Sequence, residues 1–348
     1  MTAPRNTRST RNIWRPLFLV YFVCSVGVLS VIADDSPGAT SVARWKDDRT
    51  AAFMLMFDDS CPSHWQVAIP ELAKRDMIAT FYLNPGKAEF TKFRGGWETN
   101  YWKQGMVYAD HTMTHKGVHN MDEAEHEIGD CAAIIRKIIP NSDAKLLSYG
   151  QPGVGPNDWK ITKDELAGLL KKHNLITRGE ISGHMAVYHL KTAADMLALA
   201  DKAIANKTAE FIVIHGVERI VPDWHYQDFW ALKQNIFFPL LDGLKERRDR
   251  GALWITDHIS AHQYQTERDG ADVRVIAADD RGIKLELKSK ADPQLYDLPL
   301  TLITKVPTGW KQCEVTQGTN KTTVAVAAGS IHFDAIPNRD PIVISPQQ

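Results

Sequence analysis

The sequence has few cysteines and no excess of charge of either sign. Its 348 residues include four cysteines, and those that follow residue 33 are Cys61, Cys131 and Cys313. An odd number at wide spacing excludes a disulfide framework and allows one bridge at most. The formal net charge is −1, so no basic nucleic-acid-binding surface is predicted. The chain also lacks internal repeats and low-complexity tracts, which excludes a repeat protein.

The first residues, 1–33, are typical of a secretory signal peptide. Four arginines and no acid precede an apolar run over residues 17–32, which predicts cleavage after Ala33 and a secreted or periplasmic location. An uncleaved membrane anchor is the alternative, because the run is only slightly shorter than a bilayer span. Without this segment 37 basic and 42 acidic residues remain, a net charge of −5.

Short β-rich runs alternate with helix-like segments along most of the chain. Segments such as 122–139 and 192–206 have apolar residues at intervals of three and four, as amphipathic helices do. This alternation predicts parallel βα units, and seven of them predict an α/β barrel or incomplete barrel. The predicted strands cover residues 51–57, 79–83, 106–109, 146–149, 175–177, 211–215 and 253–256.

After about residue 266 the pattern changes to alternation with a period of two. The stretches "DVRVIAADDRGIKLELKS" and "TTVAVAAGSIHFDAI" are separated by turn signals. They predict a small, β-sandwich-like accessory domain over residues 267–348, which follows a barrel over residues 48–265. Whether this domain binds a glycan or packs on the barrel is left open by the pattern.

Ionisable side chains follow the predicted strands at their C-terminal ends. In βα barrels the loops at these ends meet on one rim and carry the functional residues. We therefore expect the polar residues that follow the strands to lie close together. They are, in chain order, Asp58 with Asp59 and Ser60, Asn84, His111 with His115, the stretch "YGQPGVG", Arg178, His215, and Asp257 with His258.

His111 and His115 are candidate metal ligands. Two histidines four residues apart can point the same way from a helical turn, and a carboxylate from another strand completes three protein ligands. Such a set leaves one coordination position open, as catalytic metal sites do. An ordinary polar loop is the alternative, since the spacing alone is weak evidence. The location on the barrel rim, beside Asp59, favours the metal site.

The adjacent acids Asp58 and Asp59 need not have the same role, because consecutive residues at a strand end face different directions. We assign Asp59 to the metal and Asp58 to the role of general base for a metal-bound water; capping of the next helix is the alternative. His215, at the end of the buried strand "EFIVIHG", is a candidate general acid. A hydrogen-bonded core histidine is its alternative. His64 is interpreted as an ordinary loop or surface residue.

These residues resemble the motifs of the polysaccharide deacetylases, the NodB-homology group of carbohydrate esterases (family 4). The motif T-F-D-D-G is similar to "MFDDS" at residues 56–60, and H-[ST]-x-x-H is matched by "HTMTH" at residues 111–115. The last motif, an apolar strand that ends in leucine and histidine, is similar to "IVIH" at residues 212–215. The resemblance covers roughly residues 48–265 and implies a distorted (β/α)7 barrel of the NodB type.

The resemblance also implies an activity and a site. It implies one divalent metal ion, most often zinc, held by Asp59, His111 and His115, with Asp58 as base and His215 as acid. The metal would polarise the acetyl carbonyl and present the water. The expected activity is the removal of N- or O-acetyl groups from an extracellular polysaccharide or oligosaccharide. An acetylated glycan is the expected partner, and nucleic acid is not.

The chain departs from the motifs of this family. Ser60 replaces the usual glycine of the first motif, and the fourth motif, built around an acid and a tryptophan, is not located. The third motif, R-x-P-Y, falls on "GQPG" at residues 150–153, so its arginine and its tyrosine are both missing. Tyr149, Gln151 or Arg178 are candidates to replace the arginine. The aromatic stretch "FRGGWETNYWKQG" has no helical period and is interpreted as a substrate loop. The predicted substrate-binding residues are Tyr149, Gln151, Pro152, Arg178 and Trp97.

Three other functions fit part of the pattern. A relative that hydrolyses C–N bonds of small molecules would use the same residues, although the signal peptide argues against it. Two histidines and one carboxylate also form the facial triad of iron oxygenases, but the usual H-x-D spacing is absent. A non-catalytic carbohydrate-binding relative is supported by the altered third motif, whereas the intact Asp58 and His215 argue against it.

Overall fold

A short strand, β1 (Thr40–Val42), precedes a seven-stranded parallel sheet. The computed structural model describes residues 36–139, 145–180, 189–219, 228 and 230–347. Every predicted strand of the barrel is present within two residues of its predicted bounds, so the predicted alternation is confirmed. The strands of the parallel sheet are β2 (Ala51–Phe57), β3 (Thr80–Leu83), β4 (Val107–Asp110), β5 (Leu147–Tyr149), β6 (Leu175–Thr177), β7 (Ala209–Ile214) and β8 (Leu253–Thr256).

Helices follow these strands and cover the sheet. Two of them begin with a capping box, in which the side chain of Thr162 or Thr192 accepts a hydrogen bond from the backbone amide of the third helical residue, Glu165 or Asp195. The backbone amide of the threonine donates in return to the carboxylate of that residue. Such caps satisfy backbone amides that a helix start leaves unpaired. The helices are α1 (Ile69–Ala73), α2 (Ala88–Gly96), α3 (Met121–Ala124), α4 (Cys131–Ile138), α5 (Lys163–Lys172), α6 (Ala193–Asn206), α7 (Gln234–Asp249) and α8 (His258–Asp269).

The order of the strands produces a curled, distorted barrel. The sheet runs β6-β5-β4-β3-β2-β7, and β8 pairs with the first half of β2 while β3 pairs with its last two residues. Within the described residues no pairing joins β6 to β7. Because all these pairings are parallel, the C-terminal ends of the strands share one rim. The predicted distorted α/β barrel of seven parallel strands is confirmed.

The first strand of the barrel is buried along its whole length. All seven side chains of β2, "AAFMLMF", are inaccessible to solvent, as expected for a parallel strand that is covered on both faces. The ring of Phe57, the last residue of β2, stacks on the ring of Phe81 in β3 with the centroids 4.8 Å apart. This packing fixes the position at which the acids Asp58 and Asp59 leave the sheet.

Two antiparallel sheets follow the barrel. One has the order β1-β11-β14 and the other β13-β12-β15-β10-β9. The predicted alternation is present, but the sequence did not predict β1, which precedes the barrel and pairs with β11. The strands are β9 (Ala271–Ala278), β10 (Ile283–Ser289), β11 (Leu300–Lys305), β12 (Gln312–Gln317), β13 (Asn320–Ala325), β14 (Ser330–Ala335) and β15 (Ile342–Pro346).

The C-terminal sheets pack on the barrel through a shared hydrophobic cluster. Leu285 and Leu302 of the sheets belong to the same cluster as Tyr264 of α8 and Ala52 of β2. The Tyr264 hydroxyl donates a hydrogen bond to the carbonyl of Ala43 in the segment before the barrel. The domain boundary near residue 266 remains a prediction, because the structure shows continuous packing across it.

The described part of the chain contains neither a disulfide nor a helix that could cross a membrane. Cys61, Cys131 and Cys313 are each buried, and none of the three forms a disulfide. No helix among the described residues is long and apolar enough to span a bilayer. The predicted signal peptide, residues 1–33, lies outside the described residues, so it remains a prediction.

A buried carboxyl group on α8 lies at the contact between the barrel and the C-terminal sheets. Glu267 is 1% exposed and accepts a hydrogen bond from the backbone amide of Leu298 at 3.1 Å. Burial raises the pKa of Glu267 to about 7. An acid with a higher pKa in the folded state takes up a proton on folding, so its stabilising contribution is complete below its unfolded pKa and is lost as the pH rises through about 7.

We expect Glu267→Gln to remove this pH dependence, because the amide keeps the acceptor oxygen and does not ionise. As the pH rises from 5 to 8, the Tm of the unmodified protein should fall by about 3 °C or more relative to the Tm of the variant. Thermal denaturation of both proteins over this range measures the difference. Glu246→Gln, which alters a side chain that is 72% exposed, is the matched control. A parallel pH dependence in all three proteins would contradict the assignment.

Candidate metal centre

The acids that follow β2 stand on a strained turn. Asp59 and Ser60 both have positive φ angles, 77° and 53°, a conformation that residues other than glycine adopt rarely. The Ser60 hydroxyl accepts a hydrogen bond from the backbone amide of Asn84 at 3.0 Å, which ties this turn to the end of β3. Strained residues of this kind cluster at functional sites. The turn directs Asp58 and Asp59 to different partners.

The loop after β4 brings His111 and His115 together without the predicted helical turn. Thr112 and His115 have positive φ angles of 66° and 62°, so an irregular loop replaces the helix. The Asn84 side chain donates hydrogen bonds to the carbonyls of His111 and Thr112 at 2.5 and 2.9 Å. The carboxylate of Glu127 accepts from the amide and hydroxyl of Thr114 at 2.8 and 2.7 Å. These bonds hold the loop in place.

The three predicted metal ligands converge. Ligand atoms of Asp59, His111 and His115 lie within 4.8 Å of one another. The distances from Asp59 Oδ1 are 3.3 Å to His115 Nε2 and 3.8 Å to His111 Nε2. The Lys87 ammonium lies 3.6 Å from the same oxygen. Two imidazoles and one carboxylate are a set that binds a divalent cation and leaves a coordination position open.

Two further observations fit a cation at this position. Asp59 Oδ1 is buried and has no hydrogen-bond partner, since the Lys87 ammonium at 3.6 Å is beyond hydrogen-bond distance. A buried oxygen without such a partner is costly unless a bound cation occupies it. His111 Nδ1 lies 2.7 Å from the carbonyl of Gly150, so this nitrogen carries the proton and Nε2 keeps a free lone pair. Burial lowers the pKa of His111 to about 4, which keeps the ring neutral. Metal-binding histidines are oriented in the same way.

Asp58 forms a buried, two-pronged ion pair with Arg178. The Arg178 Nη1 and Nη2 atoms donate to Asp58 Oδ1 and Oδ2 at 2.6 and 2.8 Å, and both residues are at most 4% exposed. Burial alone would raise the pKa of Asp58. The Arg178 guanidinium, helped by His111, outweighs this effect and holds the pKa well below its usual value. Asp58 is therefore ionised at neutral pH.

Arg178 occupies the space beside Gly150, the residue at which the third motif has its arginine. A Cβ atom on Gly150 would lie 2.9 Å from Arg178 Cζ and 2.9 Å from Tyr82 Cδ1. The guanidinium also stacks on the Tyr82 ring, with Cζ 4.5 Å from its centroid. Of the three candidate replacements, Arg178 is the one that contacts the acid. Its geometry is that of a residue that positions Asp58, rather than one that binds substrate.

His215 follows β7 and faces the same site. Its Nε2 atom lies 3.8 Å from Asp59 Oδ2, and its side chain is 14% exposed. The His215 carbonyl lies 2.6 Å from His64 Nε2, which therefore donates to it. The interpretation of His64 as a loop or surface residue was wrong, because this side chain is fully buried and burial lowers its pKa to about 4. The one sequence signal for this burial is that His64 follows closely after the buried strand β2.

Two predicted substrate residues lie in the core instead. Trp97 and Tyr149 are fully buried, and Trp97 packs against Phe90 and Tyr108. The predicted substrate loop is helical: α2 is followed by a π-helical turn, Trp97–Tyr101, whose wider period hides the helical pattern. In the loop after β5, Gln151 is exposed and Pro152 is buried. Of these two predicted substrate residues, Gln151 is the one that faces solvent.

The remaining rim residues support the site. His258 is buried, and its Nδ1 atom lies 2.7 Å from the Ser148 hydroxyl. That hydroxyl also lies 2.7 Å from the Tyr82 hydroxyl. Asp257 caps α8 by accepting a hydrogen bond from the amide of Ser260. This network lies against Tyr82, on which Arg178 stacks, and so fixes the position of the guanidinium.

Comparison with known proteins confirms the family resemblance. Residues 46–164 match the family model for polysaccharide deacetylase. A gellan lyase from Bacillus sp is 24% identical over 309 residues; the match covers 80% of this chain, and this chain spans 12% of that protein.

Two solved structures are similar to most of the barrel. Peptidoglycan deacetylase PdaC from Bacillus subtilis is 14% identical with a TM-score of 0.41, and the match covers 61% of this chain and 90% of that one. A family 4 carbohydrate esterase from Streptomyces lividans, in complex with acetate, is 16% identical with a TM-score of 0.39 and covers 58% of this chain and 90% of that one.

We expect His111→Ala to abolish binding of a divalent metal ion, since it removes a buried ligand while the chain keeps its fold. Elemental analysis of the purified protein and its variant, with circular dichroism to check folding, measures this loss. His119→Ala is the matched control, because His119 lies on the neighbouring surface with its side chain 53% exposed. Full metal content in the folded His111→Ala variant would show that the ligand set is wrong.

Proposed function

We propose that this chain, whose residues 46–164 belong to the polysaccharide deacetylase family, is a metal-dependent hydrolase that removes N- or O-acetyl groups from an extracellular polysaccharide or oligosaccharide. The observation that carries this proposal is the arrangement at the barrel rim. The metal-ligand set of Asp59, His111 and His115 lies beside an ionised carboxylate, Asp58, and a partly exposed histidine, His215.

We propose zinc as the metal, since two imidazoles and one carboxylate are common ligands of catalytic zinc. When bound, the cation would supply Lewis acidity toward the acetyl carbonyl and lower the pKa of a water molecule. Asp59 Oδ1 and the Nε2 atoms of His111 and His115 are the atoms placed to hold it.

Asp58 is assigned the role of general base. It is ionised, and the two hydrogen bonds from Arg178 fix its orientation. A carboxylate has about four acceptor positions, so this ion pair leaves room for a proton from water. Asp58 takes that proton as the water oxygen bonds to the acetyl carbon, and the rate gain expected from a positioned base is about 10²–10⁴-fold.

His215 is assigned the role of general acid. Its side chain reaches the site from the end of β7, the strand that pairs with β2, and lies 3.8 Å from Asp59. The buried His64 fixes its backbone carbonyl. The bond from the acetyl carbon to the sugar nitrogen or oxygen breaks, and His215 gives its proton to the leaving atom. Acetate and the deacetylated sugar are the products.

The polysaccharide substrate and the extracytoplasmic location rest on separate observations. The predicted signal peptide, residues 1–33, supports export from the cytoplasm, and the name of the curated relative includes a polysaccharide, gellan. The altered third motif had favoured a non-catalytic relative. The ion pair between Arg178 and Asp58 removes that support, because a different residue holds the acid.

The proposal is tested by acetate release from a panel of N- and O-acetylated glycans, before and after chelation. We expect acetate release that stops with chelation and returns with zinc. Asp58→Asn should lower the rate by about 10²-fold or more while the metal content stays unchanged. Release that survives both chelation and Asp58→Asn, or a metal-loaded protein that releases no acetate from any substrate, would contradict the proposal.

We expect Arg178→Ala to lower kcat by about 10²-fold without loss of metal, because Asp58 loses the group that orients it. Gly150→Arg should restore part of the rate in this variant, since a side chain at position 150 enters the space that Arg178 leaves. The same Gly150→Arg change in the unmodified protein is the control and should be harmful, because that space is filled. Rate and metal content are measured together, and an Arg178→Ala variant with an unchanged kcat would refute the positioning role.

A further inference from the structure

A groove with a cavity volume of about 370 Å³ lies beside the catalytic histidine. We call it the Trp230 groove. Its volume is within the range of small-ligand sites, and none of its residues belongs to the predicted metal or acid–base set. It is lined by Leu190, Lys191, Trp230, Ala231, Leu232, Lys233 and Ile236.

Trp230 connects this groove to the metal centre. Its indole ring lines the groove and also meets the ring of His215, with centroids 4.8 Å apart and planes at 81°. His215 Nε2 in turn lies 3.8 Å from Asp59 Oδ2. The groove therefore adjoins the metal centre through the contact between Trp230 and His215.

The exposure of Trp230 is unusual for so large an apolar side chain. Trp230 is 62% exposed, although burial of an indole would be strongly favourable. Its φ angle is 41°, in a region that residues other than glycine adopt rarely. A strained backbone that presents an aromatic ring to solvent beside His215 is suited to stacking on the flat face of a sugar.

The charged side chains of the groove are both cationic. Among the described residues that line it, Lys191 and Lys233 carry charge and both are exposed. The nearest carboxylates, those of Glu218 and Asp195, accept hydrogen bonds from the backbone amides of Gln234 and Lys191 at 3.3 and 3.2 Å. Neither acid lines the groove. A neutral sugar gains little from two ammonium groups. An anionic sugar gains charge-assisted hydrogen bonds from them.

We propose that the Trp230 groove is a subsite for an anionic sugar unit adjacent to the acetylated unit, so that the substrate is an acidic polysaccharide. Trp230 stacks on the ring, and Lys191 and Lys233 bind its carboxylate or sulfate group. This proposal rests on the proposed deacetylase function, because it places the acetylated unit at Asp59, His111 and His115.

The test compares kcat/KM for acetylated oligogalacturonides, which carry carboxylates, with kcat/KM for acetylated xylo-oligosaccharides, which are neutral. We expect the carboxylated substrate to be favoured by about tenfold or more at low salt. This preference should shrink at about 1 M salt, where the screening length is about 3 Å. An acetylated sulfated glycan in the same assay distinguishes sulfate from carboxylate as the bound group.

Lys191→Gln combined with Lys233→Gln should lower the ratio of the two kcat/KM values by about tenfold. Lys284→Gln combined with Lys311→Gln is the matched control, because it removes the same charge from exposed lysines of the C-terminal sheets. Trp230→Ala should raise KM for both substrate classes, since stacking does not depend on charge. A ratio near one in the unmodified protein, or a ratio that the Lys191 and Lys233 changes leave intact, would overturn the proposal.

Direct binding separates this proposal from the proposed function. If 4-nitrophenyl acetate and every acetylated glycan are left intact, the hydrolase proposal fails, and calorimetry with unacetylated oligogalacturonide and cello-oligosaccharide then tests the groove alone. Tighter binding of the oligogalacturonide, lost when Lys191→Gln and Lys233→Gln are combined, supports the anionic subsite. Equal binding of the two oligosaccharides overturns it.

Discussion

The buried ion pair between Asp58 and Arg178 is the interaction on which the rest of the site depends. It joins the ends of β2 and β6, two strands that are far apart in the sheet order. Removal of two charges from water is costly, and a buried pair is favourable only with good geometry and satisfied hydrogen bonds. Both oxygens of Asp58 are engaged, and the guanidinium stacks on Tyr82. If either partner were lost, an uncompensated charge would remain at the centre of the rim.

This ion pair separates the roles of the two adjacent acids. Because Arg178 balances the charge of Asp58, the carboxylate of Asp59 and the neutral ring of His111 are left to coordinate a cation. Both carboxylates lie near His111 Nε2, at 3.6 and 3.8 Å. Asp58 alone is paired with Arg178, whereas Asp59, which has a positive φ, lies 3.3 Å from His115. The different roles predicted for Asp58 and Asp59 thus have a physical basis in backbone geometry and in the guanidinium of Arg178.

The sequence predicted the parts of the structure that local patterns determine. Runs of β-branched and aromatic residues located every barrel strand, and strand ends located Asp58, Asp59, His111, His115 and His215, because parallel strands bring their C-terminal ends to one rim. Contacts between distant segments were not predictable in this way. The pairing of β1 with β11, the burial of His64 and the burial of Trp97 each depend on packing that no local period encodes.

The altered third motif shows why a missing motif residue does not imply a missing function. The site needs a guanidinium at a point in space, and any strand end that faces this point can supply it. In this chain Gly150 leaves the space open, and Arg178, at the end of the adjacent strand β6, fills it. The absence of an arginine at residue 150 and the presence of one at residue 178 are therefore coupled, since a side chain at residue 150 would displace Arg178. The geometry at the rim, rather than the residue at one motif position, determines whether Asp58 is held by a guanidinium.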